Sequence, residues 1–138
     1  REHYLPELSP SEQSRVTVIQ SDVLSPGLPA ADIVCSVNFS CYVLRDRGAM
    51  KAYFRNCHSA LQPGGLFVVD CFGGSGCQEA NEEVKELGKY TYYWEQEKFD
   101  PITNYTTFHI HFKPKGGRKI ERAFSYEWRM WTIPELRG

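Results

Sequence analysis

Residues 31 to 74 form the segment that most restricts the possible fold. An apolar run over 32–37 is followed by a stretch over 47–61 in which apolar residues recur at spacings of three and four. This periodicity predicts a helix with one buried face. The apolar residues are Met50, Tyr53, Phe54, Cys57 and Leu61. A Pro-Gly-Gly turn and a second apolar run over 66–70 follow, so the segment predicts a parallel strand-helix-strand unit.

The ends of these two predicted strands are the first places to expect a site. Ligands of parallel sheets bind beyond the carboxyl ends of the strands. The first predicted strand runs into Asn38, Phe39 and Ser40, and the second runs into Asp70 and a glycine-rich stretch ending at Gly74. Both ends are expected at the same edge of the sheet.

The segment before this unit contains a third candidate strand. Residues 15–20 are rich in β-branched side chains and stop at Ser21-Asp22, before a turn-rich connection. Residues 1–8 open on charged helix formers and predict the end of a helix.

The second half of the chain has a different character. Residues 78–87 are glutamate-rich and predict a short surface helix. Three aromatic, alternating stretches then predict an antiparallel sheet, with reversals at Asp100-Pro101 and at residues 115–118. The expected layout is an α/β core over residues 1–76, followed by a helix and an antiparallel sheet over 77–138 in the same domain.

Composition narrows the function classes. The chain has 138 residues, enough for one domain, and its 16 Lys and Arg balance 17 Asp and Glu. Without a basic field, neither nucleic acid nor a membrane surface is expected as a partner. The apolar runs are strand-sized rather than membrane-spanning, so a soluble, cytoplasmic protein is expected.

The five cysteines lack the spacing of a metal site or a redox pair. Cys35 and Cys71 lie in apolar strands and Cys57 on the apolar helix face, which favours reduced core cysteines. A disulfide framework or a cysteine nucleophile is the alternative.

The order of motifs carries a family resemblance. Ser-Asp-Val-Leu after a strand, Asn-Phe-Ser after the next, Leu-Gln-Pro-Gly-Gly after a helix and Asp-x-Phe-Gly-Gly after the last strand resemble class I S-adenosylmethionine-dependent methyltransferases. The similarity is firm over residues 15–74 and looser over the aromatic sheet. It is greatest to the branch that methylates small molecules or amines and inserts an antiparallel sheet after the fifth core strand. The resemblance implies a partial Rossmann-like core, from its third to fifth strands, with the aromatic sheet as a substrate-side lid.

The resemblance also implies where the cofactor would bind. Asp22 matches the carboxylate near the adenine amino group, and Val23 the residue whose amide meets the ring. Asn38 and Phe39 match positions facing the methionine part of S-adenosylmethionine. From the residues alone, the alternative for Asp22 is a turn-capping aspartate, and Asn38 is equally interpreted as an ordinary turn-forming residue at a strand end.

Five residues are candidates for substrate contact: Ser40, Tyr93, Trp94, Glu127 and Arg129. The aromatic members could bind an amine or a planar molecule, with cation-π attraction available. The alternative is that they form the core beneath the sheet. No catalytic residue is assigned, because methyl transfer depends mainly on proximity and orientation.

Two family features are absent from the sequence. It contains no Asp/Glu-x-Gly-x-Gly-x-Gly loop after a first strand, and no second strand ending in a ribose-binding carboxylate. The chain is therefore expected to be part of a longer protein, with weak or absent cofactor binding and no activity alone. Asn38 to Cys41 also lack the Asn/Asp-Pro-Pro-aromatic signature of nucleic-acid amino-methyltransferases. This is a second argument against a nucleic-acid substrate.

Other interpretations stay open. The chain could be a non-catalytic interaction or regulatory module, or, with less support, part of a Rossmann oxidoreductase. Unpaired sheet edges could support a homo-oligomer. His109 and His111 share one strand face and could chelate a metal, but without a third ligand nearby an exposed polar face is favoured and no metal site is assigned.

Overall fold

The computed structural model describes residues 5–138 and contains two sheets, one long helix and two short helices. The strands are β1 (Ala31–Ser36), β2 (Leu61–Val69), β3 (Asn81–Glu86), β4 (Tyr90–Gln96), β5 (Tyr105–Pro114) and β6 (Ile120–Arg129). The helices are α1 (Pro10–Gln13), α2 (Arg47–Ser59) and α3 (Ile133–Arg137). Strands β1 and β2 form a parallel pair, and β3 to β6 form an antiparallel sheet in chain order. The predicted fold class, a partial α/β core followed by an antiparallel sheet, is confirmed.

The strand-helix-strand unit forms as predicted. Helix α2 begins after Asp46, whose side chain accepts a hydrogen bond from the Ala49 amide at 3.0 Å. Met50 and Cys57 are its buried residues. Strand β2 begins at Leu61, earlier than expected. The Pro-Gly-Gly turn lies within it, at a register shift in the pairing with β1.

The strand predicted at residues 15–20 is wrong. These residues form no strand and are exposed; Ile19 has 54% of its surface accessible. A β-branched sequence becomes a strand only where a neighbouring strand takes up its backbone hydrogen bonds, and no neighbour lies beside it within residues 5–138. The helix end predicted over 1–8 falls partly outside the described residues, and Leu5–Glu7 form a single 3-10 turn.

The helix predicted at residues 78–87 is also wrong. A 3-10 turn at Ser75–Gln78 is followed by β3, which pairs with β4 from Asn81 opposite Gln96 to Glu86 opposite Thr91. A tight reversal connects the two strands, where Gly88 has a φ of +72° and the Leu87 amide donates to the Tyr90 carbonyl at 2.8 Å. The antiparallel sheet therefore has four strands rather than three.

The main core lies where the aromatic face of the antiparallel sheet meets the loops after β1 and β2. Phe108 is fully buried there. Its ring stacks on Trp94 with centroids 4.7 Å apart, and lies 4.5 Å from Trp128 and 5.9 Å from Phe72. The aromatic sheet and the α/β unit are thus held together by ring packing.

The β1–β2 sheet is covered less than predicted. Ile33 is 59% and Leu66 58% exposed, and Cys35 and Cys71 are exposed rather than buried. The interpretation of both as core cysteines is therefore wrong, because α2 covers one face and nothing within residues 5–138 covers the rest. Cys57 is buried as expected, and burial raises the pKa of its thiol. All five cysteines are free.

No helix within residues 5–138 is long and apolar enough to cross a membrane.

The start of α3 provides a pH-dependent contribution to stability. The Thr132 backbone amide, 2.9 Å from Glu135 Oε2, holds the pKa of Glu135 below its ordinary value. Because the folded-state pKa is lowered, the ionised carboxylate stabilises the fold above the unfolded pKa of about 4.3. This stabilisation decreases below that pH and is lost as the pH falls through the folded-state pKa. We expect Glu135→Gln to remove less than about 1 kcal/mol at pH 7, because the site is partly solvent-screened. Urea unfolding at pH 7 and pH 3 checks this: the difference from wild type should be smaller at pH 3 than at pH 7, whereas Glu79→Gln, the control, should change neither value.

Candidate functional site

A cavity of about 440 Å³ lies between the loop after β1 and the aromatic face of the antiparallel sheet. The residues that line it are Asn38, Phe39, Ser40, Val43, Phe72, Glu83, Lys85, Tyr92, Trp94, Ile110, Tyr126 and Trp128. The cavity thus lies at the carboxyl end of β1, where a ligand of a parallel sheet is expected.

The loop after β1 has an unusual backbone that Asp70 holds in place. Asn38 and Phe39 have φ angles of 61° and 54°, in the left-handed region. Asp70, directly after β2, accepts hydrogen bonds from both their amides, at 2.6 Å to Asn38 and 2.9 Å to Phe39. The carboxylate therefore fixes the direction in which this loop presents its side chains. Sequence reasoning placed Asp70 at the correct sheet edge but gave it no role.

Tyr42 connects the loop after β1 to the segments that follow β2 and β6. Its side chain is fully buried. Its hydroxyl accepts from the Phe72 amide at 3.1 Å and lies 3.2 Å from the Phe72 carbonyl and 3.1 Å from the Trp131 carbonyl. Burial raises the pKa of this phenol, so it stays neutral and keeps its proton to donate. The ends of β2 and β6 are thereby linked to the 3-10 turn at Ser40–Val43.

Two of the five predicted substrate residues, Ser40 and Trp94, line this cavity. The other three lie elsewhere. Tyr93 points to the opposite sheet face, where Lys119 Nζ lies 4.3 Å from its ring centroid. Glu127 binds Arg45 at 2.7 Å, and Arg129 binds Glu135 at 2.9 Å while stacking on Trp131.

The predicted adenine-side residues lie in an exposed turn. Asp22 Oδ1 accepts from the Leu24 amide at 2.8 Å, the contact expected of a turn-capping aspartate. Val23, beside it, is 51% exposed. Asn56 on α2 donates to the Leu24 carbonyl at 2.8 Å and so anchors the turn to the α/β unit. The other oxygen of Asp22 has no hydrogen-bond partner within the described residues.

Eight of the twelve lining residues were not predicted as site residues. Among them, Glu83 and Lys85 were missed because their segment was predicted as a helix. A strand-period count over 81–86 would have placed Glu83 and Lys85 on the same face as each other.

The histidine pair is buried rather than exposed, so the predicted exposed polar face is wrong. His109 is 4% and His111 2% exposed. His109 Nε2 lies 2.8 Å from Glu97, and His111 Nε2 lies 2.8 Å from Glu95. The carboxylates compensate for burial of the rings, and residues 5–138 contain no cluster arranged to hold a metal ion.

Comparison with solved structures identifies proteins with a similar fold. No protein-family profile and no curated protein matches the chain significantly. A solved S-adenosylmethionine-dependent methyltransferase from Clostridium acetobutylicum matches 99% of this chain and 64% of its own, with a TM-score of 0.69 and 18% identity. The CcbJ methyltransferase from Streptomyces caelestis matches 86% of this chain and 48% of its own, with a TM-score of 0.67 and 20% identity. The sugar N-methyltransferase KedS8 from Streptoalloteichus matches 91% and 54%, with a TM-score of 0.62 and 18% identity.

The chain thus spans about half to two thirds of the length of these solved structures. The resemblance predicted from the sequence is confirmed at the level of the fold. Over the part that it spans, this chain has the fold of S-adenosylmethionine-dependent methyltransferases.

Proposed function

We propose that this chain is the acceptor-side part of an S-adenosylmethionine-dependent methyltransferase that acts on a small molecule, with an amine as the leading acceptor. The observation that carries the proposal is the position of the 440 Å³ cavity, at the carboxyl end of a parallel strand and against an aromatic sheet. The methyltransferase fold of the solved neighbours supports it.

The described residues fit the adenine edge of the cofactor in part. The open oxygen of Asp22 is able to accept from an exocyclic amine, and the exposed Val23 offers apolar surface beside it. The amides of Asn38 and Phe39 are already bound by Asp70, so these residues would approach the cofactor only with their side chains. When bound, S-adenosylmethionine supplies an electrophilic methyl group on a sulfonium.

This chain's residues act on the acceptor. Trp94 provides a flat apolar surface, and Asn38 and Ser40 offer polar groups at the strand end. Ser40 Oγ is directed to the Val37 carbonyl at 2.9 Å, which leaves its lone pairs to accept. Their combined role is to hold and orient the acceptor and to exclude water. Orientation of the reacting groups is the main source of rate enhancement in a methyl transfer.

Replacing Asp22 by alanine tests the cofactor assignment. In the protein at its natural length, we expect Asp22→Ala to weaken binding of S-adenosylhomocysteine by about 1 to 3 kcal/mol, because an amine is left without its acceptor. Calorimetry measures this. Asp32→Ala, at an exposed aspartate on β1 that lies outside this turn, should leave the affinity unchanged. Equal affinity of Asp22→Ala and wild type would return Asp22 to turn capping alone.

The activity itself is tested by transfer of a labelled methyl group from S-adenosylmethionine to a panel of small amines and alcohols. Labelled product with at least one acceptor is the expected result. Failure of the natural-length protein to bind S-adenosylmethionine at all would overturn the proposed function and favour a non-catalytic interaction module.

A further inference from the structure

We propose that the cavity binds a small molecule that carries an ammonium group, and that Glu83 is the specificity-determining residue that recognises this charge. The atom that takes the methyl group needs a free lone pair, so it is either a neutral nucleophile elsewhere in the molecule or the same amine after its proton has passed to water. This inference rests on the proposed function, since it names the substrate class of the same cavity. It assigns the edge strand β3 a role in ligand choice.

Glu83 and Lys85 are the only charged residues among the described residues that line the cavity. The strand register explains why both face it. Glu83 lies opposite Trp94, and Lys85 opposite Tyr92, so all four side chains project from one face of the sheet. Burial raises the pKa of Tyr92, and the nearby Tyr126 and Glu83 add to this effect, which is consistent with the position of the Glu83 carboxylate beside the Tyr92 ring.

Aromatic rings form the floor of the cavity. Tyr92, Trp94, Tyr126 and Trp128 all contribute from the sheet. The faces of such rings carry negative potential and attract ammonium groups, an arrangement that proteins use to recognise methylated amines. A carboxylate at the edge of an aromatic floor favours a cation over a neutral molecule of equal shape.

The Glu83 carboxylate is free to take such a ligand. Its contact with Lys85 Nζ is long, at 3.7 Å, and the two side chains are 52% and 63% exposed, so the ion pair is weak. The neighbouring Glu86 is more firmly engaged, with Thr91 Oγ1 donating to it at 3.0 Å from the opposite sheet face. The flexible Lys85 stem lets its ammonium turn to solvent when a cation enters. Lys85 therefore competes with the ligand for Glu83.

A matched pair of probes tests the selection. Choline and 3,3-dimethylbutan-1-ol have the same shape and differ in charge. Titrations of the chain, followed by tryptophan fluorescence because Trp94 and Trp128 line the cavity, should show choline binding about tenfold more tightly. Equal affinity of the two probes would overturn the proposal.

Three variants assign the effect to Glu83. Glu83→Gln should reduce choline affinity about tenfold and leave the alcohol unchanged, whereas Glu86→Gln, on the same strand and the opposite face, should change neither. Lys85→Met should strengthen choline binding several-fold by removing the competitor. Circular dichroism checks that each variant is folded. If Glu83→Gln binds choline as wild type does, or if Lys85→Met weakens choline binding, the assignment is overturned.

The test of charge selection and the test of methyl transfer can fail independently. Charge selection is read from probe binding without S-adenosylmethionine, and methyl transfer is read from labelled product. Charge selection without binding of S-adenosylmethionine would leave Glu83 as the cation-recognising residue of a binding module. Methyl transfer without charge selection would support the enzyme and overturn the role of Glu83.

Discussion

Replacing Phe108 by alanine is expected to lower the free energy of unfolding by about 3 to 5 kcal/mol. Phe108 is fully buried and packs against Trp94, Trp128 and Phe72. Because Phe72 belongs to the loop after β2 and the tryptophans to the antiparallel sheet, the ring fills the junction between the two parts of the fold. Its removal leaves a cavity that rigid aromatic neighbours fill only in part. Urea unfolding, followed by tryptophan fluorescence and by far-ultraviolet circular dichroism, measures the loss.

Phe124→Ala is the matched control. Phe124 is 54% exposed and lies on β6 of the same sheet, with its ring centroid 6.4 Å from that of Phe112. We expect it to cost less than about 1 kcal/mol, because most of the ring is already in water. Similar losses for the two variants would mean that the ring junction does not hold the sheet to the α/β unit.

The strand-helix-strand unit was predictable because all of its signals are local. The helix stripe of Met50 and Cys57, the cap at Asp46 and the Pro-Gly-Gly turn each specify their own conformation. Residues 15–20 carry equally strong β propensity but no local partner, so they form no strand and are exposed. Strand propensity measures how well a residue packs within a sheet, so it depends on a neighbouring strand. The sequence of the segment does not specify whether that neighbour is present.

Strand β3 shows the opposite error. Its three glutamates and one lysine suggested a solvated helix, yet residues 81–86 pair with residues 91–96 of β4. The aromatic β4 needs a partner for its backbone groups, and the Gly88 reversal brings β3 into position. Tertiary pairing thus outweighed local helix propensity. The same error concealed Glu83 and Lys85 as cavity residues.

The position of candidate site residues was most predictable at the strand ends. Asn38 and Ser40 follow β1, and their place at the sheet edge follows from parallel topology alone. Which of two alternating residues faces the cavity depends on register, so Trp94 reaches it and Tyr93 does not. The burial of His109 is compensated by its hydrogen bond to Glu97. The two residues are twelve positions apart, so no local sequence pattern predicts this contact.

Asp70→Asn is expected to lower the free energy of unfolding by about 2 to 3 kcal/mol, since hydrogen bonds to a charged group are worth about 1.5 to 3 kcal/mol each. The carboxylate accepts from two amides, at Asn38 and Phe39. An asparagine has one acceptor oxygen and would turn its NH₂ group toward the second amide, so one hydrogen bond is lost and two donors oppose each other.

The larger consequence is local, at the cavity. Left-handed backbone at a residue other than glycine costs on the order of 1 kcal/mol and persists only where the surroundings enforce it. Asp70 is the group that binds both left-handed amides, at Asn38 and Phe39, so without its carboxylate this turn should relax. Faster amide exchange at these two residues, measured by nuclear magnetic resonance, is the expected signature, together with weaker binding of choline. Asp32→Asn, at the opposite end of the same sheet, should leave exchange at both amides unchanged. Unchanged exchange in Asp70→Asn would mean that ring packing around Phe39, rather than the carboxylate, imposes the turn.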